Sequence, residues 1–271
     1  MDPSEIKERI NRFRILIIGR ANAGKTTILK RVCNTKENPQ IFNSAGETGA
    51  YRDASTTILI IDATVLNASR ERGEHNIENE MVFQNNPGFI FHDSRGFEAG
   101  GESEYDQVNT FITDRSKMGN IKDRIHTIWY CIPMDQASRA FTQAELKFFS
   151  RCDTGSIPVI VIFTKFDALY DVEFARLRKE GKSRTDAKAL APRHAEETFA
   201  NGTQLKVLYH SKDIRRPPKS HVCLPDMDKD NANCGPLIKL TAGTLDSEVL
   251  QQLFVSTQRT NLELCIEYAV E

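Results

Sequence analysis

The sequence lacks three features that would assign it to a specialised class of protein. None of its six cysteines belongs to a Cys-x-x-Cys pair, so the ligand spacing of a structural zinc site is missing. Its longest apolar runs, such as residues 15–18, have the length of a strand and are too short to span a membrane. Its 36 basic and 37 acidic side chains nearly balance, which gives no electrostatic reason to expect nucleic acid as a partner.

The two ends of the sequence carry no pattern of membrane targeting. Residues 1–5 do not begin a signal peptide, and Asp2 stands where myristoylation requires glycine. Cys265 is too far from the last residue to form a prenylation box. We therefore expect a cytoplasmic protein without a membrane anchor, in which reduced cysteines serve as small apolar side chains.

Short apolar segments alternate with helical stretches along the chain. Residues 76–83 alternate in strand fashion and, with turn-forming residues at 85–88, predict an antiparallel hairpin with the strand that follows. The other predicted strands are residues 12–19, 88–93, 125–132, 157–164 and 221–224. This order predicts an α/β fold with a mainly parallel central sheet, helices on both faces and one antiparallel edge hairpin.

The helical stretches complete a prediction of one domain over residues 1–271. Helices are predicted at 24–33, 171–180, 184–200 and after Thr142, which forms a capping box with Glu145. Leu245, Val249, Leu253, Phe254 and Leu262 recur near helical spacing. We expect a helical extension over 1–12, a C-terminal helix over 246–271, and a long mobile segment with one extra apolar element over 40–74.

Residues 19–26 match the pattern of a phosphate-binding loop between a strand and a helix. Glycines let backbone N–H groups turn toward phosphate oxygens, and the start of the helix adds positive potential. Lys25 can neutralise charge on the β- and γ-phosphates, and Thr26 offers a hydroxyl to magnesium. The predicted phosphate-binding residues are Gly19, Asn22, Ala23, Gly24, Lys25, Thr26 and Thr27.

Residues 93–96 follow the strand 88–92 and have the form Asp-x-x-Gly. An aspartate at the end of a strand can hold magnesium through water, so Asp93 joins Thr26 as a predicted metal-binding residue. Gly96 can donate its backbone N–H to the γ-phosphate. The glycine-rich residues 96–101 then form a segment able to move when the γ-phosphate leaves.

Residues 164–167, Thr-Lys-Phe-Asp, end the apolar strand 157–163. The Asp167 carboxylate can accept hydrogen bonds from guanine N1–H and the exocyclic amine, whereas adenine leaves it unpaired. The stem of Lys165 can cover the purine face. Thr164 and Leu224 complete the predicted guanine-binding set. For the last base-contacting loop we favour residues 224–226 over Thr241-Ala242, which lies in a helical pattern.

Taken in this order, the three motifs resemble the translation-factor-related (TRAFAC) class of P-loop GTPases over most of the chain. Residues 21–23 and the Gly96-Phe97 junction are similar to its septin-like, immunity-associated and Era-like branches. Residues 92–101 and 253–258 resemble an expanded fungal family of single-domain G proteins. The resemblance implies a P-loop NTPase G domain that binds GTP and GDP with Mg²⁺.

Two positions depart from the Ras-like pattern. Phe97 stands where a glutamine would orient the attacking water, so the resemblance implies slow hydrolysis or another catalytic group. Arg70 and Arg72 are candidates for an internal arginine finger, with solvated loop arginines as the plainer alternative. Our catalytic set is therefore Lys25, Gly96 and Arg72. Asn22 resembles the asparagine with which some G proteins ligate K⁺, a further cofactor candidate.

The switch residue that meets magnesium is predicted to be Ser69, with Thr64, Thr56 and Thr57 as rivals. The sequence as a whole predicts a GTP/GDP switch that hydrolyses GTP slowly, or with help from dimerisation, an activator or a monovalent cation. The partner beyond guanine nucleotide would be a second copy or an effector bound through the switch regions. A septin-like scaffold that does not hydrolyse GTP, and a small-molecule kinase or ATPase, are the alternatives.

Overall fold

The computed structural model describes residues 12–43, 76–94, 102–135 and 141–257, and at its centre is one sheet of seven strands. The strands are β1 (Phe13–Gly19), β2 (Gln40–Phe42), β3 (Glu80–Phe83), β4 (Asn86–Asp93), β5 (Thr127–Pro133), β6 (Val159–Thr164) and β7 (Ser220–Leu224). Their order across the sheet is β2-β3-β4-β1-β5-β6-β7. Strands β4, β1, β5, β6 and β7 are parallel, whereas β2 and β3 pair antiparallel at one edge.

Helices cover both faces of this sheet. Every residue of β1 is buried, as in a strand at the centre of a parallel sheet. Phe13, Ile15 and Ile17 pack on one face, and Leu16 and Ile18 pack on the other. The described helices are α1 (Lys25–Val32), α2 (Glu102–Lys117), α3 (Gln143–Arg151), α4 (Ala168–Lys179), α5 (Arg184–Ala200), α6 (Thr203–His210), α7 (Gly235–Thr244) and α8 (Glu248–Thr257).

Each face of the sheet has its own set of helices. Helices α1, α7 and α8 share the core that contains Phe13, and helices α2, α3, α5 and α6 share the core that contains Leu16. The predicted α/β fold class, with a mainly parallel sheet and an antiparallel edge hairpin, is therefore confirmed.

The turn of the hairpin lies earlier than the sequence predicts. Residues 84–85 form it, and β4 already begins at Asn86, so the predicted turn at 85–88 is wrong. Pro87 is tolerated in β4 because β1 pairs with β4 only from Phe89 onward, and no β1 carbonyl needs a donor at residue 87.

The hairpin's first strand is also shorter than predicted. Asn76 starts a turn, in which its side chain accepts from the backbone N–H of Glu78, and β3 begins only at Glu80. Gln40–Phe42, the beginning of the predicted mobile segment, is a strand that extends the antiparallel edge. Residues 44–75, with the predicted apolar element, lie outside the described residues.

The C-terminal helical pattern is divided between two helices. Helix α7 ends at Thr244 and α8 begins at Glu248, while residues 258–271 and the N-terminal residues 1–11 lie outside the described ranges. The sequence did not predict α6. None of the described helices is both long and apolar enough to cross a bilayer.

Candidate functional site

Two glycines determine the course of the backbone in the loop between β1 and α1. Gly19 has φ +152° and lies so close to β5 that a Cβ atom would come within 2.4 Å of the Cys131 carbonyl oxygen. Gly24, with φ +78°, is the residue before the first turn of α1 and adopts the left-handed conformation that glycine tolerates best. The two glycines therefore fix where the loop leaves the strand and where it enters the helix.

Lys25 brings the loop together with the end of β4. Its buried Nζ donates to the carbonyl oxygens of Gly19 and Arg20, at 3.1 and 3.3 Å. The same Nζ is 3.8 Å from Oδ1 of Asp93. In the parallel pairing of β1 with β4, Asp93 lies opposite Ile17, two residues before the loop begins. The predicted phosphate-binding and metal-binding residues thus meet at the carboxyl edge of the sheet.

Arg20 anchors the loop to the first turn of α3. Its Nε and Nη2 donate to the two carboxylate oxygens of Glu145, at 2.8 and 2.7 Å. Glu145 is 1% exposed and also accepts from the backbone N–H of Thr142, so the predicted capping box is confirmed. A buried bidentate pair of this kind is rigid because each partner's position is fixed by two bonds.

The wall behind the loop is uncharged. Burial raises the pKa of the Cys131 thiol to about 12, with the Lys25 ammonium acting in the opposite direction. Burial also raises the pKa of Tyr130 well above its ordinary value. Both groups stay protonated at neutral pH, so Cys131 is a packing residue here and not a nucleophile.

Two neutral histidines contact Arg14, near the amino end of β1. His92 Nδ1–H donates to the carbonyl of Ile77 and its Nε2 accepts from Arg14, while His126 accepts from the backbone N–H of Arg14 and donates to the carbonyl of Ile121. Each ring therefore donates at one nitrogen and accepts at the other, which only a neutral imidazole can do.

Burial is the main cause that lowers the pKa of both rings. The pKa falls to about 3 for His92, where the Arg14 and Arg115 guanidinium groups add to the effect of burial. For His126 it falls to about 4. The residue that precedes Asp93 in β4 is thus an uncharged imidazole.

The other end of the site, which we call the base end, contains the predicted guanine-binding residues. There β6 and β7 bring Asp167 next to the loop of residues 225–234, which we call the β7–α7 loop. Thr164 is buried and pairs with Leu224, whose carbonyl accepts from the Phe166 N–H at 3.3 Å. Oδ1 of Asp167 accepts from the backbone N–H of Asp226 at 2.8 Å. The favoured segment 224–226 therefore contacts the predicted base-binding aspartate.

Lys165 forms a contact that the sequence did not suggest. Its Nζ is 2.6 Å from Oδ2 of Asp135, which follows β5, and both side chains are partly exposed. The ion pair holds the head of Lys165 toward the neighbouring loop, which leaves its stem as the part available to cover a ring.

Left-handed backbone conformations are concentrated at this edge of the sheet. The described non-glycine residues with positive φ are Asn22, Asn34, Lys165 and Asp226. Three of these four lie in the phosphate-type loop, the 164–167 segment and the β7–α7 loop. Such conformations cost about 1 kcal/mol or more each and are typical of functional sites.

The alternative base loop, Thr241-Ala242, lies inside α7 and is fully buried. The Thr241 hydroxyl donates to the Leu237 carbonyl and accepts from Nε1 of Trp129 at 3.2 Å. A residue with no exposed surface cannot contact a nucleotide, so this alternative is wrong.

Several predicted residues cannot be located. Gly96 and Phe97, the arginines at 70 and 72, and Ser69 with its rivals Thr64, Thr56 and Thr57 lie outside the described residues. Of the predicted metal-binding residues, Thr26 in the first turn of α1 and Asp93 are described. Within the described ranges, no group of three or more His, Cys, Asp or Glu side chains is placed to hold a metal ion by itself.

The sequence analysis missed the partners that hold the predicted residues in place. The pairing of Arg20 with Glu145 joins residues 125 positions apart, and that of Lys165 with Asp135 joins residues 30 apart. The capping box indicated Glu145 as a helix start but gave no sign of its second role. Pairs so distant along the chain become visible only when the sheet order is known.

No family model matches the chain, and no curated protein matches it either. Among solved structures it is similar to a GDP-bound mutant of NFeoB from S. thermophilus, with 13% identity over 59% of this chain and 46% of that one and a TM-score of 0.33. The chain thus spans about half of the NFeoB structure.

Two further solved structures cover more of the chain. A probable GTP-binding protein engB is 16% identical, over 88% of this chain and 99% of that one, with a TM-score of 0.41. An Era variant from Aquifex aeolicus bound to GDP and AlF4⁻ is 15% identical, over 86% and 57%, with a TM-score of 0.38. The fold follows from the strand order and the loop geometry described above.

Proposed function

We propose that the protein binds GTP and GDP and hydrolyses GTP slowly, with Mg²⁺, as a molecular switch. One observation carries the proposal: the Lys25 loop, Asp93 and an Asp167 carboxylate held by a backbone N–H lie along one edge of one sheet. This edge, beyond the carboxyl ends of parallel strands, is where open α/β sheets bind ligands.

The preference for guanine follows from the orientation of Asp167. The N–H of Asp226 bonds Oδ1 of the carboxylate and so restricts its rotation before a base binds. A fixed carboxylate at this position suits a base with two adjacent donors, which guanine has and adenine lacks. Leaving a polar group unpaired costs about 1–3 kcal/mol, which supports discrimination against ATP and against the kinase or ATPase alternative.

The end of the site that contains Lys25, Thr26 and Asp93, which we call the phosphate end, suits a magnesium-bound triphosphate. Lys25 supplies a buried positive charge, and the hydroxyl of Thr26 and the carboxylate of Asp93 are oxygen donors of the kind that Mg²⁺ prefers. With phosphate oxygens and waters, these two residues and Ser69 would complete the coordination. The ion, when bound, neutralises charge that develops on the phosphates.

The proposed hydrolysis is slow because Phe97 can neither orient water nor accept a proton. We propose that Gly96 contacts the γ-phosphate, and that Arg72, or a K⁺ held by Asn22, supplies the missing positive charge. Loss of hydrolysis in Arg72→Ala would identify Arg72 as the source of this charge. Faster hydrolysis in K⁺ than in Na⁺ buffer would identify the K⁺ ion. Of the segments 40–74 and 94–106, the parts after β2 and before α2 would be ordered by the γ-phosphate and released after its loss.

The test is phosphate release from GTP and, separately, from ATP with Mg²⁺, at several protein concentrations. We expect turnover of GTP only, and Lys25→Ala should lower nucleotide affinity by about 100-fold because it removes a charged donor. Lys30→Ala is the matched control, since Lys30 lies on the same helix and bonds an exposed carbonyl. Equal turnover of ATP would contradict the proposal.

The same assay separates a switch from a scaffold. A specific activity that rises with protein concentration would indicate catalysis across a dimer. Tight GTP binding without turnover at any concentration would instead support the septin-like alternative, in which nucleotide sets shape and assembly.

A further inference from the structure

The last turn of α1 carries an arginine that holds the β7–α7 loop by its backbone. The Nε of Arg31 donates to the carbonyl of Met227 at 3.1 Å, and its Nη1 donates to that of Asp230 at 3.3 Å. Its Nη2 donates to the carbonyls of Asp228, at 3.3 Å, and Lys229, at 2.5 Å. One guanidinium thus binds four successive carbonyl groups, a geometry that needs its planar fork of donors.

The held carbonyls begin one residue after the group that orients Asp167. Asp226 has φ +54°, a conformation that costs free energy and persists only when the surrounding structure enforces it. The turn after it is closed by a bond from the Lys229 N–H to the Asp226 carbonyl, and Arg31 holds the carbonyls of residues 227–230. The direction of the Asp226 N–H, and with it the Asp167 carboxylate, therefore depends on this turn.

The same loop offers a matched contact of a different kind. Lys36 pairs with the Asp230 carboxylate at 3.1 Å, but the two side chains are 87% and 89% exposed. Exposed ion pairs of this type contribute little. Lys36 and Arg31 thus reach one loop from neighbouring positions, and only Arg31 binds its backbone.

We propose that Arg31 is a positioning residue for base selectivity, which links the helix of the phosphate loop to the carboxylate that selects guanine. The proposal rests on the proposed function. It says that guanine recognition depends on a side chain that does not touch the base, through the turn that aims the Asp226 N–H at Asp167.

The test compares GDP with inosine diphosphate, which lacks the 2-amino group that Asp167 would bind. The ratio of the two Kd values, measured on one sample, reports the placement of the carboxylate, because unfolded protein lowers stoichiometry without changing the ratio. We expect Arg31→Gln to lower the preference for GDP by about tenfold, the loss of one hydrogen bond to a charged group. Lys36→Gln should keep the wild-type ratio, and Arg31→Lys should give an intermediate one.

The outcomes distinguish the two proposals. If the wild type does not bind GDP, the proposed function fails and the role of Arg31 fails with it. If it binds GDP and IDP equally, the role of Arg31 in base selectivity is overturned while nucleotide binding stands. If the wild type prefers GDP and Arg31→Gln keeps that preference, only the role of Arg31 is overturned. Should Arg31→Gln not fold, Arg31→Lys decides, because an unchanged ratio in that variant contradicts the need for a guanidinium fork.

Discussion

The two ends of the candidate site are held by different kinds of contact. At the phosphate end, largely buried side chains hold the loop: Arg20 pairs with Glu145, and Lys25 donates to the loop's own carbonyl oxygens at Gly19 and Arg20. At the base end, Asp167 depends on the backbone of a loop that lies largely at the surface and is held by Arg31. The contacts at the phosphate end are therefore largely buried, whereas the β7–α7 loop at the base end packs on the surface of the core.

This difference predicts that mutations at the two ends have different effects, on folding stability at one end and on nucleotide binding at the other. Damage to a buried ion pair leaves a charge without compensation in the core and lowers the stability of the whole fold. Damage to a surface loop releases little buried area, so it changes binding more than folding. Stability should therefore report on the phosphate end, and selectivity on the base end.

The largest effect is expected from Glu145→Ala. The change removes both bonds to Arg20 and the capping bond to Thr142, and we expect the free energy of unfolding to fall by about 3 kcal/mol. Denaturant unfolding measures it. Glu197→Ala, which removes an exposed pair with Arg193, should leave the unfolding midpoint unchanged. Equal effects of the two changes would contradict the contrast between the ends.

Asp167→Asn tests the base end. We expect about 100-fold weaker GDP binding, because the amide cannot accept two hydrogen bonds from guanine donors, and little change in unfolding. Xanthine carries a carbonyl in place of the 2-amino group, so XDP should bind the variant better than the wild type. Fluorescence titration with labelled nucleotides measures both, and unchanged GDP affinity would exclude Asp167 from the site.

Acid should lower the stability of the fold through its two buried, neutral histidines. The folded pKa values of His92 and His126, about 3 and about 4, lie below the unfolded value near 6.5. Between these limits the unfolded chain binds more protons, so stability is complete above pH 6.5 and falls as the pH falls. At pH 5.5 we expect a loss of about 1 kcal/mol for each ring.

Unfolding at pH 7.5 and pH 5.5 measures this loss, and NMR of the imidazole protons identifies its source. The two ring signals should not titrate above pH 5. A titration of either ring near pH 6.5 would contradict its buried, neutral state.

The smallest effect is expected from Thr241→Val. The change removes the acceptor of the Trp129 N–H, and we expect a loss of stability of about 1 kcal/mol. The ratio of GDP to IDP affinity should stay at its wild-type value, since Thr241 is buried in α7. A changed ratio would restore Thr241-Ala242 as part of the base loop.

The sequence predicted those parts of the molecule whose signals are local. Apolar runs predicted the buried strands because their length and composition are set by burial on both faces. The turn of the hairpin was misplaced because Pro87 favours a turn in isolation. It is accepted in β4 only because β1 begins its pairing later, a fact of register that the local sequence does not carry.

For the candidate site, the motifs predicted which residues come together but not what holds them. Lys25 and Asp93 were expected at one edge because parallel strands end there. Arg31 and Asp135 carry no motif, and the capping box indicates Glu145 only as a helix start. An arginine in a last helical turn is equally suited to solvent. Their roles depend on contacts that exist only after distant elements pack.

The four carbonyl groups that Arg31 binds lie far along the chain. The candidate site can therefore be completed only late in synthesis. Arg31 precedes Met227 by 196 residues, and Asp167 precedes Asp226 by 59. A ribosome that has already made β1, α1 and β6 has not yet made the turn that aims Asp167, and contacts across such spans close late. Under the proposed function, a nascent chain would contain its phosphate-binding residues before the turn that orients Asp167, and base selectivity would belong to the chain extended past residue 230.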